Sequence, residues 1–215
     1  RRDARRDAGG ERGAAEARAF VAAAATQTNT GKVRLFRETE LSSDVLLASA
    51  CLPKMHRAVV IDGEPYWDGG YSANPAVYPL FYDCRSRDIL LVLLSPLKYD
   101  ATPHSTDEIT QRALELAFSA NFMREMRMFV HASEFAGGGW LSLGRLERRL
   151  KGMRFHMVDI ASEAALQRTD TKMLAHGPFL ERLREQGRVC GQAWADENTA
   201  SVGRRATVDL KRWFG

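Results

Sequence analysis

Asp68 stands between an aromatic pair, Tyr66 and Trp67, and two glycines, Gly69 and Gly70. A carboxylate at a strand end before glycines lies where backbone can approach a ligand closely and where the acid can point into a cleft. The same residues also suit an aspartate that caps a turn through its own backbone. Cys51 offers a thiol, but it follows the apolar stretch Val45 to Ala50 with Lys54 as its nearest charged neighbour, so a small core residue is expected. His56 follows Pro53 and either lines a pocket or faces solvent from a loop. His104, His131, His156 and His176 are scattered without the spacing of metal ligands, and no metal or other cofactor is expected. Cys51, Cys84 and Cys190 are an odd count at wide spacings, which argues against a disulfide framework and for a reducing compartment.

Several elements must position these groups. The small apolar run Phe20 to Thr26, the turn residues Asn29, Thr30 and Gly31, and then Val33, Leu35 and Phe36 predict two strands joined tightly. Ser42, Ser43 and Asp44 offer capping oxygens before Val45 to Ala50, and Pro53 stops the run, which predicts a short, mostly buried helix. Val59 to Ile61, the dipeptide Asp62-Gly63 and then Tyr66-Trp67 predict a hairpin with a type I′ turn that ends at Asp68. Ile89 to Leu94 is aliphatic without alternation and predicts a strand covered on both faces in a parallel or mixed sheet.

Ser105 with Glu108 forms a capping box, and Ile109, Ala113, Leu116, Ala117, Ala120, Met123 and Met126 follow at helical spacing. A long helix over 106–134 is predicted, packed on the sheet. The wider set Phe118, Phe122, Met123, Met126, Met128 and Phe129 suits core packing or an acyl-chain channel. Gly137-Gly138-Gly139 breaks that helix, Arg154 to Ile160 alternates like a strand, and Pro178 opens a final helix with Phe179, Leu183, Cys190 and Trp194 on one stripe. Trp213 and Phe214 suit either a membrane interface or a docked C-terminus. Strands and helices interleave, so the fold class is α/β.

The chain has 215 residues, 45% of them hydrophobic, enough for one domain with a real core. Its longest uncharged apolar run is far short of the roughly 20 residues a bilayer requires. The 31 basic and 27 acidic residues leave a net charge of +4, mild for a protein that binds nucleic acid through phosphate neutralisation, and no nucleic-acid partner is expected. The excess is uneven. Arg1, Arg2, Arg5, Arg6, Arg12 and Arg18 make residues 1–18 a basic, disordered lead-in before the folded part at 19–215; its functional reading is a tail docking on anionic lipid or RNA.

The stretch from Asp44 to Pro53, with its Ala48-Ser49 and Pro53, then Tyr66 to Pro75, with Asp68-Gly69-Gly70 followed by Asn74-Pro75, resembles bacterial patatin-like phospholipases in order and spacing. The turn Asn29-Thr30-Gly31-Lys32 looks like the family too. The resemblance covers the chain from about residue 20 to its end. It implies the C-terminal portion of a three-layer α/β/α sandwich. It also implies a lipid acyl hydrolase with a Ser-Asp dyad, in which the aspartate of the Asp-Gly-Gly turn, Asp68, is the catalytic base and Gly69 and Gly70 form the motif turn. The family's Gly-x-Ser-x-Gly elbow and glycine-rich oxyanion loop lie upstream of these motifs in chain order, and neither occurs in this sequence. The chain is therefore expected to be the portion that lacks the nucleophilic serine, and to be nearly inert by itself. The implied partner is a lipid or lipid-ester substrate, and the expected location is cytoplasmic with peripheral contact at the inner membrane surface. A second reading is a catalytically inactive lipid-binding or protein-interaction module that retains the fold.

Overall fold

Residues 22–99, 101–137, 144–159 and 176–215 are described by a computed structural model. The basic lead-in and Gly138-Gly139 lie outside the described residues. The fold is α/β, as the interleaved pattern predicts, and the chain divides after Ala73 into two compact units.

In the first unit a four-stranded antiparallel sheet has the order β2-β1-β4-β3, from β1 (Ala22–Gln27), β2 (Val33–Arg37), β3 (Val59–Ile61) and β4 (Glu64–Asp68). Both predicted hairpins form. The tight turn between β3 and β4 places Asp62 at φ 54° and Gly63 at φ 81°, the paired positive values a type I′ turn demands. Helix α1 (Ser43–Ser49) packs on this sheet, and Ser42 caps it by accepting from the Val45 amide at 3.3 Å. Its burial is narrower than expected. Val45 and Ala48 join Ala25, Phe36 and Tyr66 in the core, whereas Leu46 and Leu47 are exposed, because a lone two-turn helix on a sheet hides only one stripe.

The second unit holds a two-stranded parallel sheet, β5 (Asp88–Leu93) beside β6 (Arg154–Asp159). Helix α3 (Thr106–Gly137) opens with the predicted capping box. Ser105 Oγ accepts from the Glu108 amide at 3.2 Å, while Glu108 accepts from the Ser105 and His104 amides at 3.1 and 2.9 Å. Those backbone donors hold the Glu108 carboxyl below its ordinary range. Three further helices belong to this unit: α2 (Tyr78–Asp83) before β5, α4 (Arg145–Gly152) before β6 and α5 (Gly177–Asn198) after it. A fourth, α6 (Leu210–Phe214), follows α5, so the helix that opens at Pro178 is not the final one.

Two burial expectations in this unit need correction. Ile89, Leu91 and Leu93 are buried against Phe122, Met126, Phe129 and Phe155, but Leu90, Val92 and Leu94 are exposed by 47%, 56% and 61%. Among the described residues β5 therefore buries one face rather than two. Among the described residues helix α3 enters the core through its second half, with Phe122, Met126, Phe129 and Val130 buried, while Ile109 and Leu116 in its first half are exposed. Within the Met and Phe cluster, Met128 also faces outward.

On the opposite face of β6, buried His156 meets the Trp194 ring edge-on at 6.0 Å, which seats α5 there. The predicted stripe of α5 is its less exposed side, although none of its residues is fully buried. Phe214 is 1% exposed and packs edge-on to Phe122 at 5.5 Å, so the C-terminus is docked. Among the described residues, no helix is long and apolar enough to cross a membrane.

Candidate active site

Asp68 ends β4 and caps the 3-10 turn Gly69–Tyr71, its Oδ1 accepting from the Gly70 amide at 2.7 Å. Its backbone is pinned on both sides. The Asp68 amide donates to the Cys51 carbonyl at 2.9 Å, and the Asp68 carbonyl accepts from Thr26 Oγ1 at 2.8 Å. Thr26 Oγ1 also lies 2.7 Å from Ser72 Oγ, so one hydroxyl on β1 ties both ends of the Asp-Gly-Gly turn. The register Ala25 opposite Asp68 places Thr26 for this, with Ala25 buried toward α1 on the other face. A backbone held at these points presents a carboxylate in one orientation, as general-base chemistry requires.

The glycines have separate reasons. A Cβ at Gly69 would stand 2.3 Å from the Ala24 carbonyl oxygen and 2.7 Å from its carbon, so only glycine lets the turn lie this close to β1. Gly70 is buried and donates the amide that fixes the carboxylate. The Tyr71 phenol is pushed above its ordinary pKa, chiefly by burial and next by the charge of Asp68.

The other candidates separate. Cys51 is 3% exposed, with Sγ 3.1 Å from the Arg57 carbonyl, and is a core residue as expected. His56 is exposed on its loop. Ser49 gives its hydroxyl to the Leu46 carbonyl at 2.8 Å.

Residues 5–81 match the family model of patatin-like phospholipase. This segment is similar to patatin-like phospholipases. The matched segment contains β1 to β4, α1 and the whole Asp-Gly-Gly turn. It starts inside the arginine-rich segment and stops at Phe81, so it covers a little over a third of the chain, less than the sequence resemblance suggests. No curated protein and no solved structure matches the chain.

One polar cluster escaped the sequence reading. Asp88 on β5 accepts from Arg154 Nε and Nη2 at 2.8 and 2.6 Å, from His156 Nε2 at 3.0 Å, and from the Gly203 amide at 2.9 Å. His156 Nδ1 lies 3.0 Å from Thr207 Oγ1. An Asp-His-Thr chain has the outline of a nucleophilic triad, but His156 is 1% exposed and its ring packs edge-on against Trp194, as in a structural cluster. The cluster instead fastens residues 203–207 to the sheet. Its only sequence sign is that Asp88 and Arg154 each stand at the start of a predicted strand.

Proposed function

We propose that this chain carries the general base of a serine-dependent lipid acyl hydrolase acting on carboxylic ester bonds. Asp68 is that base, Gly69 and Gly70 form its supporting turn, and the nucleophilic serine is supplied by residues outside these 215. The observation that carries the reading is the Asp68 carboxylate, fixed by the Gly70 amide at the end of a strand whose backbone Thr26 and Cys51 hold, inside the patatin-like segment. The substrate is a lipid ester. Hydrolysis needs Asp68 to take the serine proton as the hydroxyl attacks the ester carbonyl carbon. The tetrahedral oxyanion then collapses by expelling the alcohol, which leaves protonated; water, activated by the same carboxylate, releases the acid.

The test uses the coding sequence extended upstream to include a Gly-x-Ser-x-Gly elbow, with a short-chain ester as substrate. Asp68→Asn retains the oxygen that accepts from the Gly70 amide and loses only the basicity. The expected outcome is unchanged thermal unfolding and a fall in kcat of at least about 100-fold. Activity within tenfold of the parent removes Asp68 from the mechanism.

A further inference from the structure

Helix α4 reads Arg-Leu-Glu-Arg-Arg-Leu-Lys-Gly, and its periodicity sorts the side chains by chemistry: Arg145, Arg148 and Arg149 fall along one side, Leu146 and Leu150 along another. Leu150 is buried and anchors the helix on the core. Arg149 turns inward. Its guanidinium donates to the carbonyls of Phe81, Cys84, Arg85 and Ser86 at 3.1, 2.5, 3.3 and 2.8 Å, which satisfies the end of α2 and fixes the turn after it. That turn carries Arg85 and Arg87. The Arg87 side chain passes over α4 so closely that a Cβ at Gly152 would stand 3.1 Å from its Nη1.

The outcome is an open groove of about 900 Å³ lined by five arginines and one carboxylate, Asp83, with no residue of the Asp68 site in its wall. Arg85, Arg87, Arg145 and Arg148 are exposed. Two large apolar side chains also stand at the groove, Tyr82 exposed by 67% and Leu146 by 52%. Guanidinium groups match phosphate oxygens, and a free phosphate would satisfy them but leave Tyr82 and Leu146 in water. A polynucleotide could stack on Tyr82 but has no use for the aliphatic Leu146. Charge and apolar side chains on one surface suit the interface of an anionic bilayer, where arginines meet phosphates and a tyrosine and a leucine enter the acyl boundary.

We propose that the groove between α4 and the turn after α2 docks this chain on the phosphate headgroups of an anionic lipid surface, with Tyr82 and Leu146 as apolar contacts. The docking uses no catalytic residue and no turnover, so it stands or falls apart from the acyl-hydrolase reading.

The experiment is sedimentation of the 215-residue chain with vesicles of phosphatidylcholine, and of phosphatidylcholine mixed with phosphatidylglycerol. Binding to the mixed vesicles that weakens with salt is expected. Each basic side chain near an anionic surface contributes roughly fivefold in affinity, so Arg145→Gln with Arg148→Gln is expected to weaken binding by roughly 30-fold. Leu146→Ser is expected to weaken binding to mixed vesicles at constant charge. Arg184→Gln with Arg188→Gln removes the same charge from α5, where these arginines pair with Glu181 and Glu185, and is expected to change binding little. Circular dichroism and thermal unfolding verify that each variant is folded, and Arg145→Lys with Arg148→Lys, which keeps the charge, is expected to retain most of the binding. Equal binding to both vesicle types overturns the proposal. So does equal loss in the two glutamine pairs, or a groove that takes a single-stranded oligonucleotide and no vesicle.

Discussion

At the scale of single residues, the Asp-Gly-Gly turn is an arrangement of close approaches. Gly69 is required by main-chain atoms of β1, which cannot rotate out of the way as a side chain can. Gly69→Ala is therefore expected to destabilise the first unit by about 1–3 kcal/mol, measured by denaturant unfolding. Ala24→Gly should not rescue it, because the nearest obstacles are the Ala24 carbonyl oxygen and carbon rather than its Cβ. Full rescue would show that the turn does not lie this close to β1. Thr26 was not legible as a site residue: a threonine in a strand is ordinary, and only the pairing of β1 with β4 carries its hydroxyl to Asp68 and Ser72.

Among the elements, β5, β6 and the segment after α5 depend on Asp88. The hydrogen bonds from Arg154, and after them those from His156 and the Gly203 amide, hold the Asp88 carboxyl well below its ordinary value of 3.8. A depressed carboxylate contributes stability that is fully present above the unfolded value and is lost as pH falls below it toward the folded value. Unfolding free energy is thus expected to decline as pH drops below about 4, and Asp88→Asn should flatten that part of the profile. At neutral pH the substitution should cost about 1.5–3 kcal/mol, the usual contribution of hydrogen bonds to a charged group. An unchanged acid profile in Asp88→Asn would show that other carboxylates govern it. The hairpins and the capping box of α3 were readable because turn dipeptides and capping residues act within a few positions of themselves.

For the whole molecule, the outward face of β5 is expected to govern behaviour in solution. Leu90 and Val92, with Leu94 just past the strand's end, form an apolar strip along a strand paired on one side among the described residues, and such a strip binds apolar probes and further copies. The chain is expected to bind a hydrophobic dye strongly and to self-associate at micromolar concentration, and Val92→Lys should reduce both. A monodisperse monomer with no dye binding would contradict this.

Sequence alone determined what neighbouring residues decide among themselves: the strand-turn-strand units around Asn29 to Gly31 and Asp62-Gly63, the start of α3 at its capping box, and the candidacy of Asp68. Tertiary structure decided which faces meet a partner. Ile89 to Leu94 lacks alternation, yet β5 buries alternate residues, because a continuous apolar run permits burial on both faces and only the packed elements determine how many are covered. It also decided that Arg149 supports a turn while Arg145 and Arg148 remain exposed, since the side a short helix turns inward depends on the surface beneath it. Asp88 and His156 met for the same reason: they are far apart in the chain, and parallel pairing of β5 with β6 joined them.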